Sequence, residues 1–152
     1  MKTPKPLKQR MLLGMLMAGL LIMSGCKKEK SDTDQLNKVV GNWKETSSEE
    51  NISRTLQFSK DGSFVMTFIS QQVTPVYTLK FSGLFKIKGD SLKVTLKQQS
   101  AQQGDQQPVI TPANGLLYDK AIYNVTNAVL TLKYVTYPAD APVATEAKFQ
   151  KQ

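Results

Sequence analysis

The chain has 152 residues, with 20 Lys and Arg against 12 Asp and Glu, a net charge of +8, one cysteine and no histidine. That length suits a single domain with a sizeable core. Without histidine the commonest general base and metal ligand are missing, so a Ser-His-Asp triad, a Cys-His dyad and the usual zinc sites are excluded, and a lone cysteine rules out an intrachain disulfide.

Lys2, Lys5, Lys8 and Arg10 form a positive leader ahead of an apolar run from Met11 to Met23. The run is shorter than the roughly 17 to 25 residues of a membrane span and has no polar face, so it reads as the apolar region of a signal peptide. It ends in Met23-Ser24-Gly25-Cys26, which resembles the lipobox of bacterial lipoproteins. The resemblance implies cleavage between Gly25 and Cys26, with Cys26 carrying a diacylglyceryl thioether and a further acyl chain, such as palmitate, on its amine. Two or more acyl chains hold a protein stably at a bilayer where one does not. The expected location is therefore the cell envelope, lipid-anchored at the outer membrane, with the face it occupies left open. Losing the leader takes the positive count from 20 to 16 against 12, a net charge of +4. The remaining lysines, such as Lys86, Lys88, Lys93 and Lys97, alternate with other residues rather than cluster, so nucleic acid is not an expected partner.

The expected organisation is a signal peptide over residues 1–25, a flexible tether over 26–37 and one β domain over 38–152. Cys26 to Asp34 is polar and charged without large apolar residues, the composition of a tether. Leu36 to Val40 reads as a helical turn or a lead-in strand. A first strand follows around Gly41-Asn42-Trp43-Lys44-Glu45. Ile52, Arg54, Leu56 and Phe58 share one face of the next strand, which ends in a turn at Asp61-Gly62, where glycine accepts a positive φ without steric cost. Phe64, Met66 and Phe68 alternate on the return. Tyr77, Leu79, Phe81, Phe85 and Ile87 keep one parity, and Gly83 among them predicts a bulge or sharp bend. Gly89-Asp90 makes a second turn, and Leu92, Val94 and Leu96 run back. Residues 98–107, rich in Gln, Ser and Gly, read as a long mobile loop placed where a barrel could carry a lid. Further strands are expected at Leu116–Tyr118, Ala121–Thr126, Val129–Tyr137 and Thr145–Gln150. About eight strands in this spacing predict an all-β, antiparallel up-and-down barrel.

Gly41-Asn42-Trp43, then Leu56-Gln57-Phe58 with Asp61-Gly62 and Phe64, then Gly83 to Leu92, form an ordered set similar to the lipocalin-like domains of Bacteroidetes-type lipoproteins. The likeness spans Gly41 to about Leu96. It implies that Trp43 plugs one end of the barrel, that a cation lies across the indole, and that the barrel takes up a small, largely apolar ligand. Arg54 does not match the family's late-strand arginine, where this chain has Lys148 and Lys151, so the cation stays open. Met66, Phe68, Tyr77, Phe81, Phe85 and Tyr134 either line a cavity or fill a core, since alternation demands them inside in both cases. The alternative role is a non-enzymatic structural or interaction subunit, or an inhibitor, with a filled barrel or β-sandwich and a protein partner in the envelope. Catalytic residues, metal ligands and cofactors are not expected. The carboxylates Asp61, Asp90 and Asp119 fall at turn positions, where Asp caps backbone, and Glu49-Glu50 would face opposite sides of a strand.

Overall fold

The computed structural model describes residues 32–46, 50–137 and 141–152. A short helix, α1 (Asp32–Val39), precedes eight strands: β1 (Gly41–Glu45), β2 (Ile52–Phe58), β3 (Ser63–Ser70), β4 (Tyr77–Lys88), β5 (Ser91–Gln103), β6 (Val109–Thr126), β7 (Val129–Thr136) and β8 (Val143–Lys151). Each strand pairs antiparallel with the next, and β8 returns to β1 through Trp43 with Lys151, Lys44 with Gln150 and Glu45 with Phe149. The architecture is a closed up-and-down barrel, consistent with a lipocalin-like fold. Closure leaves no free sheet edge along the fully paired strands.

The tight turns after β2, β4 and β6 gather at one end of the barrel with α1. An eight-residue helix is marginal alone; this one is held because Val39 is buried, Leu36 packs on the core and the Trp43 indole Nε1–H donates to the Val39 carbonyl at 2.8 Å. The Tyr123 hydroxyl adds a hydrogen bond to the Gly89 carbonyl at 3.0 Å, with Gln35 Oε1 also within 3.2 Å. Trp43, 0% exposed, therefore sits beneath a cap rather than at an open rim. The last residues of the expected tether, 32–37, are helical and belong to that cap.

Beneath α1 the interior is solid. Phe58 packs against Phe64 at 5.2 Å and against Phe85 at 5.0 Å between ring centroids, with Leu56, Leu92, Val94, Leu130, Leu132 and Phe149 filling the space around them. Edge-on aromatic contacts of this kind add to the area they bury. The expected bulge lies where Gly83 predicts it, with the β4 to β5 register shifting between Ser82 and Gly83. A Cβ at Gly83 would meet the Thr95 carbonyl oxygen at 2.0 Å, so the two backbones approach too closely for any side chain.

Three expectations are corrected. Residues 98–103 are strand, not a mobile loop or lid, and only residues 104–108 turn. Gln98 to Ala101 pair with Ser82 to Leu79 on one side and Pro112 to Val109 on the other. Ladder hydrogen bonds on both sides supply what the apolar alternation lacks. Leu116–Tyr118 and Ala121–Thr126 are parts of the single long strand β6, whose register shifts against β5 interrupt its alternation. Asp119 consequently lies within β6, 3.4 Å from Lys93 Nζ, and not at a turn.

Candidate functional site: the open end of the barrel

The C-terminal ends of β1, β3, β5 and β7 lie at the end opposite α1, and there the filling changes. The register carries the inward parity of Trp43 on to Glu45, and that of Leu56 back to Arg54. One rung past the pair Lys44 with Thr55, Glu45 meets Arg54. Arg54 Nε donates to Glu45 Oε2 at 2.9 Å and Arg54 Nη2 donates to Glu45 Oε1, a two-pronged ion pair whose side chains are 24% and 11% exposed. The guanidinium also lies over the Phe149 ring, 5.4 Å from its centroid. Burial pulls the Arg54 pKa down, but hydrogen bonding and charge from Glu45 outweigh it and the net shift is upward. Arg54 stays cationic and Glu45 neutralises it on the spot.

Beside the pair is an open cavity of about 350 Å³ bounded by Arg54, Met66, Leu117, Tyr118, Tyr134 and Thr136, with the exposed Val135 and Tyr137 at its mouth. Tyr118 and Tyr134 pack edge to face with centroids 4.9 Å apart. Tyr118 is only 3% exposed, yet among the described residues its hydroxyl makes no hydrogen bond. Burial first, then the neighbouring Tyr134, holds its phenol well above the usual tyrosine range, with Arg54 opposing. At the rim the Thr136 and Thr145 hydroxyls are 3.0 Å apart.

The cavity also opens sideways. β6 pairs with β7 only from Ile122 to Thr126, so the Leu116–Ala121 stretch of β6 and residues Tyr134 and Val135 of β7 face each other without a ladder. Between them is a further space of about 410 Å³ that shares Leu117, Tyr118, Tyr134 and Val135 with the first.

The six residues expected to line a cavity are divided by the structure. Met66 and Tyr134 border it. Phe68, Tyr77 and Phe81 are half-buried on inward positions of β3 and β4 at the same end. Phe85 belongs to the solid core against Phe58, on the other side of the Gly83 bulge, and lines nothing hollow. Trp43 is buried as the resemblance implies, and the cation over it is Lys151, 5.3 Å from the ring centroid. Gly41 makes this approach feasible, because a Cβ there would meet Lys151 Cε at 2.9 Å. Gly25 and Cys26 lie outside the described residues, as does Glu49. Sequence reasoning missed the Arg54–Glu45 pair although a signal existed. Each is a charge on the apolar face of its strand, and a charge in that position requires a partner.

No family model, curated protein or solved structure matches the chain. Among the described residues no helix is long and apolar enough to cross a membrane, and no three His, Cys, Asp or Glu side chains come together as metal ligands.

Proposed function

We propose that this chain is a lipid-anchored envelope lipoprotein, held at the outer membrane through Cys26, whose barrel binds a small, largely apolar molecule without catalysing a reaction. The observation that carries the binding half is the cavity of about 350 Å³ at the open end, within the range of ligand pockets and bounded by apolar and aromatic side chains around a few polar groups. The anchoring half rests on the leader and the Met23-Ser24-Gly25-Cys26 motif. Native mass spectrometry of the protein purified from its own host is the test, with a stoichiometric small-molecule adduct expected and consistently empty protein counting against ligand binding. For the anchor, Cys26→Ser should move the protein to the soluble fraction and abolish palmitate incorporation; retention at the membrane would refute it.

A second reading, an interaction subunit with a protein partner in the envelope, draws on the outer surface of the same end. Residues 69–79 and 98–118 contain one charged residue, Asp105, and present Val73, Val76, Val109 and Ile110 to solvent. Exposed apolar groups in a surface whose nearby charges are Asp105 and Lys80, the latter in register with Ser100 and Ile110, suit a partner. Replacing Val109 and Ile110 by Ser should then dissolve a stoichiometric envelope complex without lowering the melting temperature.

A further inference from the structure

We infer that the molecule in the cavity is uncharged and amphipathic, an apolar body with one hydrogen-bond-accepting oxygen of the ester, ketone or ether kind placed between Tyr118 and Arg54. This rests on the ligand-binding reading above and narrows it to a chemical class.

Charge balance comes first. Arg54 has five N–H donors, of which Glu45 takes one from Nε and one from Nη2. The remaining donors have no acceptor among the described residues, and Arg54 borders the cavity. The cation itself is already neutralised by a carboxylate that is only 11% exposed. An anionic ligand end would bring a second negative charge beside the largely covered Glu45 carboxylate, and like charges at close range repel. A neutral acceptor uses the spare N–H groups and meets no such repulsion.

Tyr118 supplies the second donor. Its side chain is buried, its hydroxyl has no partner among the described residues, and it borders both the cavity and the lateral opening. No buried side-chain oxygen or nitrogen of the described residues is sealed away without a partner, so this hydroxyl reaches the cavity space. A phenol in that position donates one hydrogen bond to whatever occupies the space. The other inward positions at this end, including Phe68, Leu79, Phe81 and Gln99, carry no charge, and Met66, Leu117 and the Tyr134 ring give the cavity an apolar border. The site therefore offers donors at one point and hydrocarbon contact elsewhere.

The test is isothermal titration calorimetry of the mature lipoprotein, purified from its own host in detergent, with methyl octanoate and octanoate, two probes that differ in the charge of the polar end. The ester is expected to bind at least about tenfold more tightly, a difference of about 1.4 kcal/mol. Tyr118→Phe should weaken the ester by about two- to tenfold, the loss of one hydrogen bond, while detergent partitioning remains the same in both proteins and cancels. Glu45→Gln should reverse the preference, because the guanidinium is then left without its counter-charge. Tighter octanoate than ester in the native protein would overturn the neutral-ligand inference and leave the ligand-binding reading standing. Equal ester affinity in native and Tyr118→Phe protein would overturn it as well, and this variant decides the matter if circular dichroism shows that Glu45→Gln does not fold. Binding of neither probe, with empty protein in native mass spectrometry, would remove both readings together.

Discussion

The half of the barrel under α1 and the half beyond the Gly83 bulge are built from the same eight strands, yet one is packed solid and the other is hollow. Under α1 the inward residues are Trp43, Leu56, Phe58, Phe64, Phe85 and Phe149, all buried. Beyond the bulge Arg54, Phe68, Phe81, Tyr134 and Thr145 are only partly covered, and the buried Met66 and Tyr118 border the cavity. Eight strands enclose a space that side chains can just fill or that can hold one small ligand. In this chain the choice is made separately for each end. Aromatic rings converge where a helix and three tight turns exclude water, and an ion pair with hydroxyls occupies the end that water reaches.

The largest break in this contrast should come from Trp43→Ala, which removes the biggest fully buried side chain and the hydrogen bond that ties α1 down. A loss of about 3 to 5 kcal/mol is expected, read from a denaturant midpoint, and an unchanged curve would mean the closed end is not a packed core. Gly83→Ala should follow, at about 1 to 3 kcal/mol or more, because its methyl would run into the Thr95 backbone and not into a movable side chain. Thermal melts would check it, and a neutral result would deny that the bulge separates the two halves. Phe68→Ala sharpens the comparison directly. Its ring is half-buried in the hollow half, so the cost should be on the order of 1 to 2 kcal/mol, against the about 3 to 5 typical of a buried Phe such as Phe58; equal costs in the two variants would erase the distinction.

The smallest effect is confined to alkaline solution. The folded state holds the Tyr118 proton to higher pH than the unfolded chain does. Unfolded tyrosine releases its proton near pH 10, so the folded protein retains its full stability below that and loses stability as pH rises beyond it. Stability measured from pH 9 to 11 should fall, and Tyr118→Phe should flatten the fall. An identical slope in the variant would show that this phenol is no more buried than the others.

The strand count and much of the pairing were legible because period-two alternation and turn residues are local signals. Leu56 and Phe58, then Asp61-Gly62, then Phe64 and Met66 need only their own neighbours to be read as a hairpin. The turn shows the expected chemistry, with Asp61 Oδ1 accepting from the Ser63 N–H at 2.9 Å. Residues 98–103 were illegible because a strand without an apolar face leaves no periodic trace; its ladders to β4 and β6 exist only in three dimensions. Tyr118 was hidden for a related reason, since register shifts in β6 break the parity from which an inward position is inferred.

Sequence by itself determined an all-β chain, the antiparallel order of its strands, Trp43 as a core residue and Gly83 as a break in the ladder, since each follows from a side chain's own size, branching or absence. Only the tertiary structure decided which aromatic residues fill and which border a space, that Lys151 rather than Arg54 covers the indole, and that Arg54 is answered by Glu45. Those outcomes depend on register and closure, which bring together residues whose neighbours in the chain say nothing about one another.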